Sequence, residues 1–166
     1  MFRILEQFAI PEQGLMLVAP PEKAERHLFL LEENGFKNLL GYLEGGLEAW
    51  RQAGHKLDVL ISLSAEEVRI DLKHALEKPD MLDIRTEASF AQEHVAGARN
   101  LPLKQLLEEW EALPIDKPCY VYCRDGVLSA TVVSWLKLHG RPLVKHVFGG
   151  FEALKEEGAV MTKGPA

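Results

Sequence analysis

CYVYCRDGVLSATVVSWLKLHG, residues 119–140, reads as a buried strand, a tight polar turn and a mostly apolar helix. Cys119-Tyr120-Val121-Tyr122 is rich in β-forming residues and follows the turn signal Asp116-Lys117-Pro118. Gly126 lets the turn bend where a side chain would obstruct it. Ser129 is a candidate N-cap for a helix running to His139, and Gly140 is the residue expected just past its end. A thiol opening such a turn, as Cys123 does, sits over backbone N–H groups and the positive end of a helix. Both favour thiolate, the nucleophilic form. The same N–H groups would cradle an anionic sulfur attached to the cysteine. The competing reading is that Cys123 is a small apolar residue that happens to be buried.

Composition sets the outer limits. The chain has 166 residues, 47% of them hydrophobic and 27% charged, which suits a packed core with an ordinary surface. A formal net charge of −6 argues against nucleic acid and offers an anionic substrate no general steering. Two cysteines do not make a disulfide framework, and Cys119 and Cys123 match no zinc spacing. No signal peptide or long apolar run is visible, since Arg3 and Glu6 interrupt the start; a reducing cytoplasm is the expected compartment.

Residues 1–56 contain an order of elements that recurs later. Residues 14–19 read as a strand closed by Pro20-Pro21. Glu22 to Asn34 has helical spacing with Ala24, Leu28 and Leu31 on one face, residues 38–43 read as a strand, and Gly45-Gly46 turns into a helix over 47–53. Phe2 to Ile10 is also read as helical. Ala19 lies 26 residues before Gly45, as Cys123 lies 26 before Gly149, and GGLEAWRQAG (45–54) parallels GGFEALKEEG (149–158). The offset between the copies, 123 minus 19, is 104 residues. Ala19 thus stands where Cys123 stands, with Pro20-Pro21 in place of a glycine loop, so the first copy is expected to be catalytically silent.

Residues 57–118 are what the first copy lacks. Ile61-Ser62 is a short strand, and Ser64 with Glu67 forms a capping-box signature for a helix expected to reach about Lys78. Residues 81–85 form a buried strand ending in a charged corner. Phe90 to Gly97 is a short helix and turn, Ala98 to Leu103 a strand, and Leu103 to Leu113 an amphipathic helix. Strands alternating with helices imply a parallel α/β sheet, with the site beyond the carboxyl ends of the strands, where Cys123 falls.

These residues carry a resemblance. DIRTEASFAQEHVAGARNLPL (83–103), YCRDGVLSA (122–130) and FGGFEALKEEG (148–158) resemble, in order, the DxR stretch, the active-site loop and the closing strand–GG–helix of the rhodanese family. Residues 57–166 are similar to a complete rhodanese domain, with a five-stranded parallel sheet flanked by helices. Residues 1–56 are similar to the later half of a preceding one, a truncated and cysteine-less partial α/β repeat. The layout resembles the tandem rhodanese modules that follow a metallo-β-lactamase-like domain in persulfide-handling proteins.

The resemblance implies a sulfurtransferase in which Cys123 takes sulfane sulfur from a small donor and passes it to a thiol or cyanide, with no cofactor or metal. Loop residues Arg124, Asp125, Gly126, Val127, Leu128 and Ser129 would bind the substrate, their amides stabilising persulfide and departing anion. Arg124 would contact an anionic donor, or else be a solvated loop arginine. Leu128 holds the place where many small members carry arginine. Asp125 sets a carboxylate beside the nucleophile, which repels a dianion such as thiosulfate, so a low-charge persulfide is the expected better donor. The alternative is a sulfur-relay or protein-binding module. A C-x5-R phosphatase would need arginine where Ser129 stands.

Asp83 and Arg85 are expected to pair structurally, His94 to make a local hydrogen bond, His55, His74 and His139 to be surface or helix-end residues, and Trp50, Trp110 and Trp135 to be core. Neither nucleic acid nor membrane is an expected partner. The apolar faces of residues 1–56 are expected to be covered by the complete domain, by a second chain in a homodimer, or by an upstream domain.

Overall fold

The computed structural model describes residues 6–9 and 12–164. The chain divides into two compact units, Met1–Val59 and Leu60–Ala166. In the first, β1 (Leu15–Leu17) pairs in parallel with β2 (Leu39–Tyr42); α1 (Pro21–Glu33) connects them and α2 (Gly46–Gln52) follows. Ala9, Leu31 and Phe36 form its small core, with Leu15 and Leu39 packed against them. Of the helix expected over residues 2–10, positions 2–5 and 10 lie outside the described residues, and residues 6–8 form a turn.

The second unit holds a five-stranded sheet in the order β3-β8-β7-β4-β6, every neighbouring pair parallel. The strands are β3 (Ser62–Leu63), β4 (Asp80–Asp83), β6 (Arg99–Asn100), β7 (Cys119–Tyr122) and β8 (Val144–Val147). All four residues of β7 are buried, as a strand covered on both faces requires. Tyr120 and Tyr122 pack with Val68 of α3 (Ala65–His74) and Leu154 of α7 (Gly150–Glu156). On the other face α6 (Val127–Leu138) buries Val132, Val133 and Leu136, and α5 (Leu103–Glu109) buries Leu106. The α/β architecture read from the alternating elements is the one observed.

Several local readings are corrected. The α3 capping box is complete, with Glu67 N–H donating to Ser64 Oγ and Glu67 accepting from the Ser64 amide, but the helix stops at His74 rather than Lys78. Ala75 is already extended and Leu76 is fully exposed, so no apolar contact holds a further turn. The stretch after Phe90 splits into α4 (Glu87–Gln92) and a strand β5 (His94–Val95), which pairs antiparallel with β9 (Met161–Thr162). Trp50, Trp110 and Trp135 are half-buried rather than core. Trp110 and Trp135 meet edge to face at 5.6 Å, and exposed His139 lies against Trp135. Among the described residues no helix is long and apolar enough to cross a membrane.

Candidate active site

β7 delivers Cys123 to the carboxyl-terminal edge of the sheet, where the chain turns sharply into α6. Gly126, not Ser129, is the N-cap of that helix, at φ 88°. A β-carbon there would stand 2.9 Å from the Gly149 amide nitrogen and 3.2 Å from His146 Cε1, so the turn depends on glycine. Gly150, φ 60°, presses from the other side: a β-carbon on it would fall 2.5 Å from the Cys123 carbonyl oxygen. Removing both side chains lets the start of α7 close on the loop. The Phe151 amide donates to Cys123 O at 2.8 Å and the Glu152 amide to Arg124 O at 3.1 Å.

Two backbone donors converge on the sulfur: Gly126 N–H at 3.2 Å and Ser129 N–H at 3.4 Å from Cys123 Sγ. Cys123 is 4% exposed, on the floor of the loop. Asp125 Oδ1 lies 3.7 Å from Sγ and also accepts from the Val127 amide at 3.0 Å. The carboxylate therefore engages one loop amide and sets negative charge beside the Cys123 thiol. Arg124 is turned outward, its side chain 80% exposed and its Nε donating to Glu152 Oε1 at 2.7 Å. Val127 and Phe148 are exposed and Leu128 is half-buried, so this end of the sheet presents apolar surface. Among the described residues no cluster of His, Cys, Asp and Glu that could hold a metal comes together.

The charged corner lies beneath the loop. Asp83 is fully buried and pairs with Arg85, whose Nη2 donates to Asp83 Oδ2 at 2.6 Å and to Glu93 O at 2.8 Å. The Arg85 guanidinium lies 3.8 Å from the centroid of the Phe151 ring. It thus supports the residue whose amide holds the Cys123 carbonyl. His94 makes a local bond as expected, its Nδ1 2.8 Å from Phe90 O.

Sequence reasoning passed over His146. It is 4% exposed on β8, with Nδ1 3.1 Å from Ser129 Oγ. The available signal was a histidine beside Lys145, between the two valines of the strand and shortly before the double-glycine turn. Burial holds its imidazole below the ordinary histidine range. The unfolded chain therefore takes up that proton first. Stability linked to His146 is intact above about pH 6.5 and is lost as pH falls through the lower folded value. A His146→Asn variant should lose less of its urea midpoint than the native chain as pH falls below about 6.5. An equal loss in both would remove His146 from the acid response.

A thiol held by main-chain donors at the end of a parallel strand suits covalent group transfer in which an anion departs. Residues 69–157 match the family described as Rhodanese-like domain. The uncharacterized protein YqhL of Bacillus subtilis is 32% identical over 94 residues, covering 57% of this chain and 71% of that protein. The thiosulfate sulfurtransferase GlpE of Coxiella burnetii is 37% identical over 73 residues, covering 44% and 68%. Among solved structures, a rhodanese-related protein from Thermoplasma volcanium gives a TM-score of 0.56 at 28% identity, covering 61% of this chain and 97% of that one. A rhodanese-like domain from Anabaena shares the fold, with a TM-score of 0.58 at 22% identity over 63% of this chain and 80% of its own. The matched span takes in β7, the Cys123 loop and the double-glycine turn that closes on it, and the chain belongs to the rhodanese family.

Proposed function

We propose that the chain is a sulfurtransferase that carries sulfane sulfur as a persulfide on Cys123. The convergence of the Gly126 and Ser129 amides on Sγ is the observation that carries this reading. In the first step the Cys123 thiolate attacks the outer sulfur of a donor. A bond forms between the two sulfurs, the donor's own bond to that sulfur breaks, and the donor leaves as an anion with the electron pair. In the second step a thiolate or cyanide attacks the terminal sulfur, the persulfide bond breaks, and the Cys123 thiolate returns. Kinetics should be ping-pong.

The surroundings favour a donor of low charge. Asp125 opposes a dianion, and Arg124, the loop's own cation, is paired with Glu152. Removing the carboxylate while keeping an oxygen for the Val127 amide, as Asp125→Ser does, should raise kcat/KM for thiosulfate about three- to tenfold. No gain would refute the charge argument. Exposed Val127 and Phe148 favour a second reading, relay of the sulfur to a partner protein. Thiocyanate release with several donors separates the two, since a relay turns over poorly without its partner.

Residues 1–56 are read as a silent, truncated rhodanese-like half. The order β1-α1-β2-α2 parallels β7-α6-β8-α7, and the glycines opening α2 and α7 repeat the same left-handed pair: Gly45 and Gly46 at φ 71° and 60°, Gly149 and Gly150 at 72° and 60°. Ala19 occupies the place of Cys123.

Intact-protein mass spectrometry after exposure to thiosulfate and to a low-molecular-weight persulfide tests the whole reading. Gain of one sulfur atom, mapped to Cys123 by digestion, is the expected result. No gain with either donor would overturn it.

A further inference from the structure

We propose that His146 is a positioning residue for Cys123, holding the Ser129 amide in aim at the sulfur through the Ser129 hydroxyl. This deepens the reading of Cys123 as the nucleophile and rests on it. Ser129 is fully buried, and its single hydroxyl serves two neighbours: Gly126 O at 3.1 Å and His146 Nδ1 at 3.1 Å. A hydroxyl has one proton to give. Both contacts are satisfied together when His146 Nδ1–H donates to Ser129 Oγ and Ser129 O–H donates to Gly126 O. The chain of bonds thus runs from the imidazole to Ser129 and Gly126, the two residues whose own amides hold Sγ.

The imidazole is a firm anchor. Its backbone lies inside the sheet, in register with Ser62 on β3 and Val121 on β7, and the His146 amide donates to Ile61 O at 2.9 Å. Its neighbour Val147 packs in the core shared with Tyr120 and Tyr122, so strand alternation sends the His146 ring to the opposite face, where α6 begins. The ring also packs under the loop, since its Cε1 is what a β-carbon at Gly126 would meet. Nothing in the sulfur chemistry itself asks for a histidine here; the geometry does.

The test uses the rate at which iodoacetamide alkylates Cys123, followed by mass spectrometry on the 166-residue chain. That reaction needs no sulfur donor. Ser129→Ala and His146→Leu should each slow alkylation about three- to tenfold at neutral pH, the worth of one hydrogen bond to a buried donor set. The double variant should be no slower than the slower single one, because both changes cut the same chain of bonds. His146→Asn, whose amide N–H can occupy the place of Nδ1–H, should restore most of the rate. Additive losses, a native rate in His146→Leu, or a folded His146→Asn as slow as Ser129→Ala would each overturn the proposal. Should His146→Leu fail to fold, the comparison of His146→Asn with Ser129→Ala decides alone. Coupling in a chain that accepts no sulfur from any donor would sink the sulfurtransferase reading and leave the role of His146 standing.

Discussion

Cys123→Ser is expected to abolish sulfur transfer, lowering turnover by on the order of 10⁴-fold or more, as loss of a covalent nucleophile does. The substitution changes one atom and leaves the loop closed. Gly126 and Ser129 can still direct their amides to the oxygen, and Phe151 can still hold the carbonyl. What is lost is the proposed nucleophile: a serine hydroxyl remains protonated at neutral pH and does not accept sulfane sulfur. No other thiol can substitute. Cys119 is fully buried at the start of β7, and burial pushes its thiol up to about 12. Thiocyanate release and mass-detected sulfur loading should both vanish while the urea midpoint stays close to the native one. Undiminished turnover would place the chemistry elsewhere.

Arg85→Met is expected to cost about 3–5 kcal/mol of stability, the usual penalty for stranding one member of a buried ion pair. Asp83 has no exposed surface, and its partner's side chain is only 10% exposed. The Arg85 Nε lies 3.0 Å from both carboxylate oxygens, and the Arg85 amide adds a donor at 2.9 Å. Without the guanidinium the carboxylate stays buried with its charge unmatched. A second consequence follows at the site, because the same guanidinium stacks on Phe151, whose amide holds the Cys123 carbonyl. Catalysis should therefore fall even at temperatures where the variant is folded. Replacing both partners, as Asp83→Leu with Arg85→Met, should recover much of the stability, since an apolar pair leaves no orphan charge. Urea denaturation measures both. A loss under about 1 kcal/mol in the single variant would show that the pair holds nothing together.

Features carried by adjacent residues were legible in the chain itself. Ser64 and Glu67 make both bonds of their capping box because that motif depends on a three-residue spacing alone. The strand at 119–122 and the helix end before Gly140 follow from β-propensity and from a glycine able to take φ 82°. The Asp83–Arg85 pair lies two positions apart and needed no fold to be suspected. Features that depend on distant neighbours were not legible. Ser129 looks like a cap because serine usually is one. Here the loop must close against Gly149 and Gly150, which moves the helix start to Gly126 and frees the serine hydroxyl for His146. The pairing of β5 with β9 involves two residues on each side, too short for any periodic signal, with partners more than 60 positions apart. Trp50 and Trp135 sit on helices and Trp110 in a 3-10 turn, yet all three are only half-buried, which local spacing cannot reveal.

The contrast between the chain's two thiols has a practical consequence. Cys119 has no exposed surface inside β7, whereas Cys123, 4% exposed, lies at the floor of the loop. A slow maleimide reagent should therefore count one sulfhydryl per folded molecule and two per unfolded one. The second label then acts as a clock for global opening of the sheet, read on the unmodified sequence without a fluorophore or an engineered probe.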